Sequence, residues 1–182
     1  MVRGFGVFAL VALVAATAAA AAGPPGGTLK AFTRPHHPYD NLPAAAKQLI
    51  PTVVNSRRVA TAVDSKTKKN QFLVYVTLMK DNKVCSVLVQ GKGYSASCTP
   101  QPLLFATGRE TFSVNKGLIG GVAANNVTRL VLVGGSKREA IKLTSDNGYI
   151  YGCPSPSTCA SWVKTIVGYD AAGKIISHET VG

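Results

Sequence analysis

The chain is poor in the residues from which most catalytic and metal centres are built. It has only three histidines and eight acidic residues among 182, and no two carboxylates stand close together in sequence as a candidate glycosidase pair. His36 and His37 lie in a proline-rich stretch, where a general base would be poorly held. His178 begins His-Glu-Thr-Val-Gly, so that Gly182 stands where a zinc-binding H-E-x-x-H motif needs its second histidine. We therefore expect no catalytic residues, no bound metal and no cofactor.

Two other signatures of enzymes are missing. The nucleophile motif G-x-S-x-G does not occur. Residues 91–96, Gly-Lys-Gly-Tyr-Ser-Ala, match a relaxed dinucleotide fingerprint, but a serine-rich strand is predicted after them, where the chemistry requires a helix N-terminus.

Residues 1–22 have the three parts of a secretory signal peptide. Arg3 gives a positive start, an apolar stretch follows over residues 5–16, and the alanines of residues 18–22 offer A-x-A cleavage sites. The apolar stretch is shorter than the roughly 20 residues that a membrane-spanning helix needs. No cysteine lies near the cleavage site, which excludes a lipoprotein anchor, and no later segment is long and apolar enough to span a bilayer. The expected location is extracellular.

The charge is strongly one-sided. Lysine and arginine number 20 against eight acids, a net charge of +12, of which the signal peptide carries one. Such an excess favours anionic neighbours, namely envelope polymers or lipid headgroups, with nucleic acid a less expected partner. General solubility outside the cell explains the charge equally well.

We expect three segments: the signal peptide (1–22), a Pro/Gly-rich linker (23–40) that is ordered only if it docks, and one β-rich domain (41–182). A single short helix is predicted over residues 42–50, capped by Asn41, with Pro43 in its first turn and ending before Pro51.

From Arg57 onward the pattern is that of short strands separated by Gly and Asn turns. This pattern predicts an all-β fold, a single small antiparallel β-sandwich or barrel-like domain with one short N-terminal helix. Strands are expected at residues 59–63, where Val59, Thr61 and Val63 alternate, and at residues 72–80, 84–90, 112–114, 127–133, 140–143, 149–151, 165–169 and 174–177.

The four cysteines predict two disulfides in an exported chain. If Gly91-Lys92 is a two-residue hairpin loop with glycine first, as a type II′ turn prefers, Cys85 lies directly opposite Cys98 at bridging distance. Cys153 and Cys159 would then close a small ring that contains two prolines. Zinc binding is the weaker alternative, because C-x5-C is poor spacing for that metal.

The preceding hairpin is predicted to share the same core face. With Asp81-Asn82 as a two-residue turn, apolar side chains lie opposite the cysteine face of the next strand: Leu78 opposite Cys85, Val76 opposite Val87, and Val74 opposite Val89. A slip by one residue would give a less apolar face. The expected product is a three-stranded meander stapled by Cys85–Cys98.

Basic residues cluster in two places. Arg57 and Arg58 precede a strand, and Lys66, Lys68 and Lys69 occupy the turn after it; these five are the candidate anion contacts. Lys137 and Arg138 are assigned to another turn. Simple solvation of the turns is the alternative interpretation.

Residues 117–132 (GLIGGVAANNVTRLVL) and 169–174 (YDAAGK) resemble segments of small secreted β-domain proteins of actinobacterial-type bacteria. In those proteins a G-x-V-x-x-x-V-x-x-V run leads into β-hairpins, and a Y-D-A-x-G-K turn closes the domain. The resemblance spans residues 85–177 when the cysteine hairpin is included. It implies a bacterial exported β domain, and it implies no active site.

The function expected from the sequence is that of a non-catalytic secreted or envelope-associated β domain that contacts anionic envelope components. Two alternatives stay open. One is a secreted protease inhibitor, or another module that binds a secreted protein, using the Cys153–Cys159 ring as a rigid loop. The other is a hydrolase of unfamiliar design.

Overall fold

The computed structural model describes residues 27–63, 71–108, 110–115, 117–152 and 162–181. Strands make up 54% of the structure and helices 13%, so the protein is a small all-β domain, as predicted. The strands form antiparallel sheets, which are not closed into a barrel over the described residues. The predicted signal peptide lies outside these residues.

Eleven strands lie in three sheets over the described residues. Sheet A has the order β1 (Val53–Val63), β2 (Gln71–Met79), β3 (Lys83–Gln90), β4 (Gly93–Pro100). Sheet B has the order β5 (Glu110–Asn115), β6 (Leu118–Ala123), β9 (Gly148–Gly152). Sheet C has the order β11 (Ile175–Thr180), β10 (Thr165–Tyr169), β7 (Arg129–Gly134), β8 (Lys137–Ile141). The helices are α1 (Lys30–Thr33), α2 (Ala44–Lys47) and α3 (Gln101–Thr107), with a 3₁₀ turn at Pro38–Asp40.

The two central strands of sheet A, β2 and β3, are largely buried on both faces. One face joins sheets B and C in the main core, which includes Val74, Leu88, Ile119 and Leu130. The other face lies under residues 42–50 and forms a smaller apolar cluster. This double burial explains the unbroken run of six buried residues in β3, because neither face of that strand meets water.

Part of the segment predicted as a linker is docked onto the domain. Leu29 and Ala31 are buried in the main core. Asn125 holds the segment from the side, since its amide oxygen accepts from the Lys30 backbone N–H (3.0 Å) and its amide nitrogen donates to the Thr28 carbonyl (2.8 Å). Residues 23–40 were expected to be a linker that is ordered only if it docks, and from residue 27 onward the segment is docked.

The helices differ from the prediction. Residues 42–50 contain a helix of only four residues, α2, and Pro43 rather than Asn41 stands at its start. Helix α3 was not predicted; it begins directly after Pro100 and ends at Gly108, whose left-handed conformation (φ 62°) suits glycine at a helix end. Strand β6 was not predicted either, because it contains two adjacent glycines, which are uncommon in strands. All six of its residues are buried.

The β3–β4 hairpin forms as predicted. Gln90 pairs with Gly93, and the register places Cys85 opposite Cys98. The two cysteines form a disulfide with their Cα atoms 4.0 Å apart. Gly91 has a positive φ (57°), which agrees with glycine at the first position of a type II′ turn.

The predicted β2–β3 register is wrong by one residue. The observed partners of Cys85, Val87 and Val89 are Thr77, Tyr75 and Leu73, respectively. The reason is the loop, which has three residues rather than two and carries Asn82 in a left-handed conformation (φ 61°), with its N–H bonded to the Met79 carbonyl (3.2 Å). Three-residue hairpin loops commonly contain such a left-handed residue, and one extra loop residue turns every side chain to the opposite face.

The corrected register moves the disulfide away from the main core. Val74 and Val76 now face the main core, while Tyr75, Cys85 and Val87 lie in the smaller cluster under residues 42–50. The disulfide therefore ties β4 to the face of sheet A that the N-terminal residues cover.

Replacing both cysteines, C85A/C98A, is expected to lower the free energy of unfolding by about 3 kcal/mol, because the bridge closes a short loop in the unfolded chain. Urea unfolding followed by circular dichroism measures the change. An unchanged unfolding midpoint in the double variant would contradict this role.

Candidate functional site

Of the five predicted anion contacts, the structure describes two, Arg57 and Arg58. Arg57 is buried, with 5% of its surface exposed, and Arg58 is half-buried, with its guanidinium 4.4 Å from the centre of the Tyr39 ring. Lys66, Lys68 and Lys69 lie outside the described residues, so their part of the prediction stays a prediction. Neither arginine belongs to an exposed turn, since both are in strand β1.

Arg34 and Asp40 form a bidentate ion pair beside β1. Nη1 and Nη2 of Arg34 donate to the two carboxylate oxygens of Asp40, at 2.7 and 2.8 Å. Nε of the same arginine donates to Asp146 (2.8 Å). A planar guanidinium matches two carboxylate oxygens in this way, so one arginine joins the N-terminal segment to the loop before β9.

The Asp40 carboxylate is fully buried and accepts two further hydrogen bonds, from the backbone N–H groups of His37 (2.9 Å) and Arg58 (2.8 Å). Burial opposes its ionisation, but the hydrogen bonds from Arg34 and the backbone outweigh burial and hold the pKa of Asp40 well below its usual range. A carboxylate that accepts several N–H bonds behaves in this way.

This cluster covers the middle of the β1 edge of sheet A. Asp40 takes the N–H of Arg58, and Arg34 Nη2 donates to the Arg58 carbonyl (3.1 Å). The next carbonyl, that of Val59, accepts from the Thr144 hydroxyl (2.8 Å). Side chains thus satisfy backbone groups that an edge strand would otherwise present to another chain. Both carboxylates bind Arg34, so the cluster is a structural lock.

Sheet C offers a different kind of surface. Paired residues on neighbouring strands share a face, and successive residues alternate between faces. Leu130, Leu132 and Ile166 lie in the main core and define the inner face. Val131 and Val167 pair with each other and belong to neither core cluster, so they define the outer face.

The outer face consists of three rows that cross the four strands. The rows are Thr180–Thr165–Val133–Arg138, then His178–Val167–Val131–Ala140, and finally Ile175–Tyr169–Arg129. Continuing the β7–β8 register places Lys142 beside Arg129 in the last row.

Charge divides between the two faces of sheet C. The cations Arg129, Arg138 and Lys142 are exposed on the outer face, together with His178. The two acids of these strands, Glu139 and Glu179, pair with Leu132 and Ile166 and therefore lie on the inner face. The outer face is consequently basic and carries no carboxylate from its own strands.

The strongest feature of this face is the pair Arg129 and Tyr169. The guanidinium lies 4.1 Å from the centre of the tyrosine ring, and its N–H groups bond to no group in the described part of the chain. Stacking holds an arginine flat while its donors stay free for phosphate or carboxylate. Arg138 stands four residues further along the sheet, roughly 13 Å away.

Sequence reasoning grouped Lys137 and Arg138 in one turn, whereas both belong to β8 and point to opposite faces. Lys137 lies over the Trp162 ring (4.1 Å), with its Nζ 3.6 Å from Glu139. The hydroxyl of Tyr151 also donates to Glu139 (2.8 Å), and burial and this carboxylate raise the pKa of Tyr151 to about 12. The alternation of residues 137–141 (KREAI) is the sequence pattern that could have shown that Lys137 and Arg138 lie on opposite faces of a strand.

Other predicted features fall in several places. His36 and His37 are exposed on the docked N-terminal segment, and His178 lies on the outer face of sheet C.

Cys153 and Cys159 lie outside the described residues, so the second disulfide and the inhibitor hypothesis stay predictions. Among the described residues, no three His, Cys, Asp or Glu side chains come together as metal ligands. No helix in this part of the chain combines the length and apolarity needed to cross a membrane.

Compared with models of protein families, with curated protein sequences and with solved structures, the chain has no match. The resemblance to secreted actinobacterial β domains therefore stays a prediction.

Removing the lock at the edge of β1 tests its structural role. D40N leaves Arg34 facing a neutral amide in a buried site and is expected to cost about 3–5 kcal/mol at pH 7. Because the pKa of Asp40 is lowered by folding, its contribution is present above the unfolded-state value of about 4 and declines as the pH falls below it. Urea unfolding at pH 7 and pH 3 should show the variant and the natural protein converging at the lower pH.

The exposed pair on the β2–β3 loop supplies the control. D81N removes a carboxylate that is half exposed and bonded to Lys83, and it should leave the unfolding midpoint nearly unchanged. A loss of unfolding free energy in D40N that is no larger than that in D81N, or that does not depend on pH, would contradict the structural role of the Arg34–Asp40 pair.

Proposed function

We propose that the protein is an exported, non-catalytic binding module whose sheet C outer face binds an anionic polymer of the cell envelope. The observation that carries the proposal is the division of charge in sheet C. Arg129 and Arg138 face outward, while both acids and Lys137 face inward, so the exposed face attracts polyanions.

The form of the face favours a chain-like ligand over a single small ion. Arg129 and Arg138 stand at opposite ends of the face, about 13 Å apart, and the residues between them include Val131 and Val167, whose side chains are buried. A polymer that carries its charges at intervals matches two exposed cations at this separation. Free guanidinium donors suit phosphate groups, which they bind through paired hydrogen bonds.

Two features support a location outside the cytoplasm. The Cys85–Cys98 bond is of a kind that persists in oxidising compartments, and residues 1–22 have the pattern of a signal peptide. A phosphate-rich polymer of the envelope is therefore a partner that such a protein would meet.

The test uses R129Q/R138Q and immobilised poly(glycerol phosphate) as the probe. Two lost cations are expected to weaken binding roughly tenfold to thirtyfold and to make the dependence of log affinity on log salt less steep by about two. R129K/R138K keeps the charges and should retain most of the affinity. Surface plasmon resonance at several salt concentrations measures both quantities.

The matched control is K80Q/K92Q, which removes two exposed lysines from the hairpin loops of sheet A and should bind as the natural protein does. Equal weakening in both double variants would mean that only net charge matters and would overturn the assignment to sheet C. Binding to phosphatidylglycerol vesicles, but not to the polymer, would replace the proposed partner with a lipid surface.

A further inference from the structure

A second surface feature shares no residue with sheet C. A cavity of about 320 Å³ lies between the α2 region and the first residues of β1. Its polar wall contains His36, Asn41, Lys47, Asn55 and Ser56, and its apolar wall includes Ile50. No acidic residue lines it, although a cavity of this size is large enough for a small ligand.

Three of the polar groups have donors that no neighbour uses. Over the described residues, the His36 ring, the Lys47 ammonium and the Asn55 side-chain NH2 make no hydrogen bond or ion pair, in contrast to Ser56, whose hydroxyl donates to the Asp40 carbonyl (2.7 Å). Lys47 and His36 are exposed, while Asn55 is half-buried. The unused donors therefore come from three separate segments and line one cavity.

Arg57 determines which end of the Asn55 amide faces the cavity. Its Nη1 donates to the Asn55 side-chain oxygen and to the Ser56 carbonyl (2.8 Å). Arginine has donors and no acceptor, so the amide oxygen must be the atom bound to it. The NH2 of Asn55 is left as the donor for the cavity.

Arg57 also supplies charge without a counter-ion. Its side chain is buried, its Nε has no hydrogen-bond partner, and no carboxylate of the described chain forms an ion pair with it. A buried guanidinium that lacks an anion is costly. An anion bound to the Asn55 side chain would be held by a group that Arg57 contacts, and it would reduce that cost.

We propose that this cavity binds the phosphate group of a small organic phosphate. Lys47 pairs with the phosphate charge, Asn55 and His36 donate to its oxygens, and the wall at Ile50 contacts the organic part. The site is independent of the polymer face proposed above. A tetrahedral phosphate offers oxygens in several directions, which suits donors that come from three segments better than a planar carboxylate does.

The probe is inorganic phosphate added to the ¹⁵N-labelled protein at constant ionic strength, with acetate as the planar anion. Phosphate is expected to shift the side-chain NH2 resonances of Asn55 in a saturable manner, and acetate to do so more weakly. No saturable shift at Asn55, or shifts confined to the outer face of sheet C, would overturn the proposal.

Two variants test the donors. K47Q should weaken phosphate binding about tenfold or more, since it removes a charged partner. N55D places a carboxylate beside Arg57, supplies the missing counter-ion, and should abolish binding while the protein stays folded. K92Q, which changes an exposed lysine on the β3–β4 loop, should bind phosphate unchanged.

The variants also separate the two proposed sites. R129Q/R138Q should leave phosphate binding at Asn55 intact, so one proposal can fail without the other. If N55D does not fold, the comparison of phosphate affinity between K47Q and K92Q tests the cavity site. Equal affinity of K47Q and K92Q for phosphate would overturn the cavity site, and a loss confined to K47Q would support it.

Discussion

The ion pair between Arg34 and Asp40 is the interaction on which the rest of the structure depends. It lies in a segment with the proline-rich composition of a linker, yet it fixes that segment along the free edge of sheet A. Once the edge is closed, residues 42–50 cover the second face of the same sheet. Strands β2 and β3 are then largely buried on both faces, and Cys85 of the β3–β4 disulfide lies under this cover. An ionised carboxylate is tolerated in that buried place because four N–H donors surround it.

The parts of the fold that local rules determine could be predicted from the sequence. Gly91 and Lys92 specify a two-residue turn, and the turn alone places Cys85 opposite Cys98. The neighbouring hairpin could not be solved in this way. The hydrophobic pattern favoured the register with the more apolar face, but both faces of this hairpin are buried, and the three-residue loop with Asn82 in a left-handed conformation sets the other register. Strand β6 was hidden for a related reason. Gly120 is needed where a Cβ would come within 2.7 Å of Val74, and such a contact between sheets leaves no trace in a local pattern.

The candidate site was less accessible to sequence reasoning than the fold. Runs of lysine and arginine drew attention to Arg57 and Arg58, but the first is buried and the second stacks on Tyr39. The cations of sheet C come from separate strands, and only their pairing across the sheet reveals that they share a face. The opposite placement of Glu139 is visible in the alternation of β8, although five residues are too few to establish it without the sheet. The sequence therefore indicated only that the protein is strongly basic, and the fold showed which exposed cations share a face.

With β2 and β3 largely buried on both faces, the outer face of sheet C is the surface that we propose for the polymer. Mapping poly(glycerol phosphate) onto the ¹⁵N-labelled protein by NMR at low salt tests that claim most directly. We expect chemical-shift changes to concentrate on the outer-face residues of β7, β8, β10 and β11, with the largest at Arg129 and Tyr169, and to disappear as salt is raised. Changes concentrated on β1 to β4, or spread evenly over all exposed lysines and arginines, would contradict it.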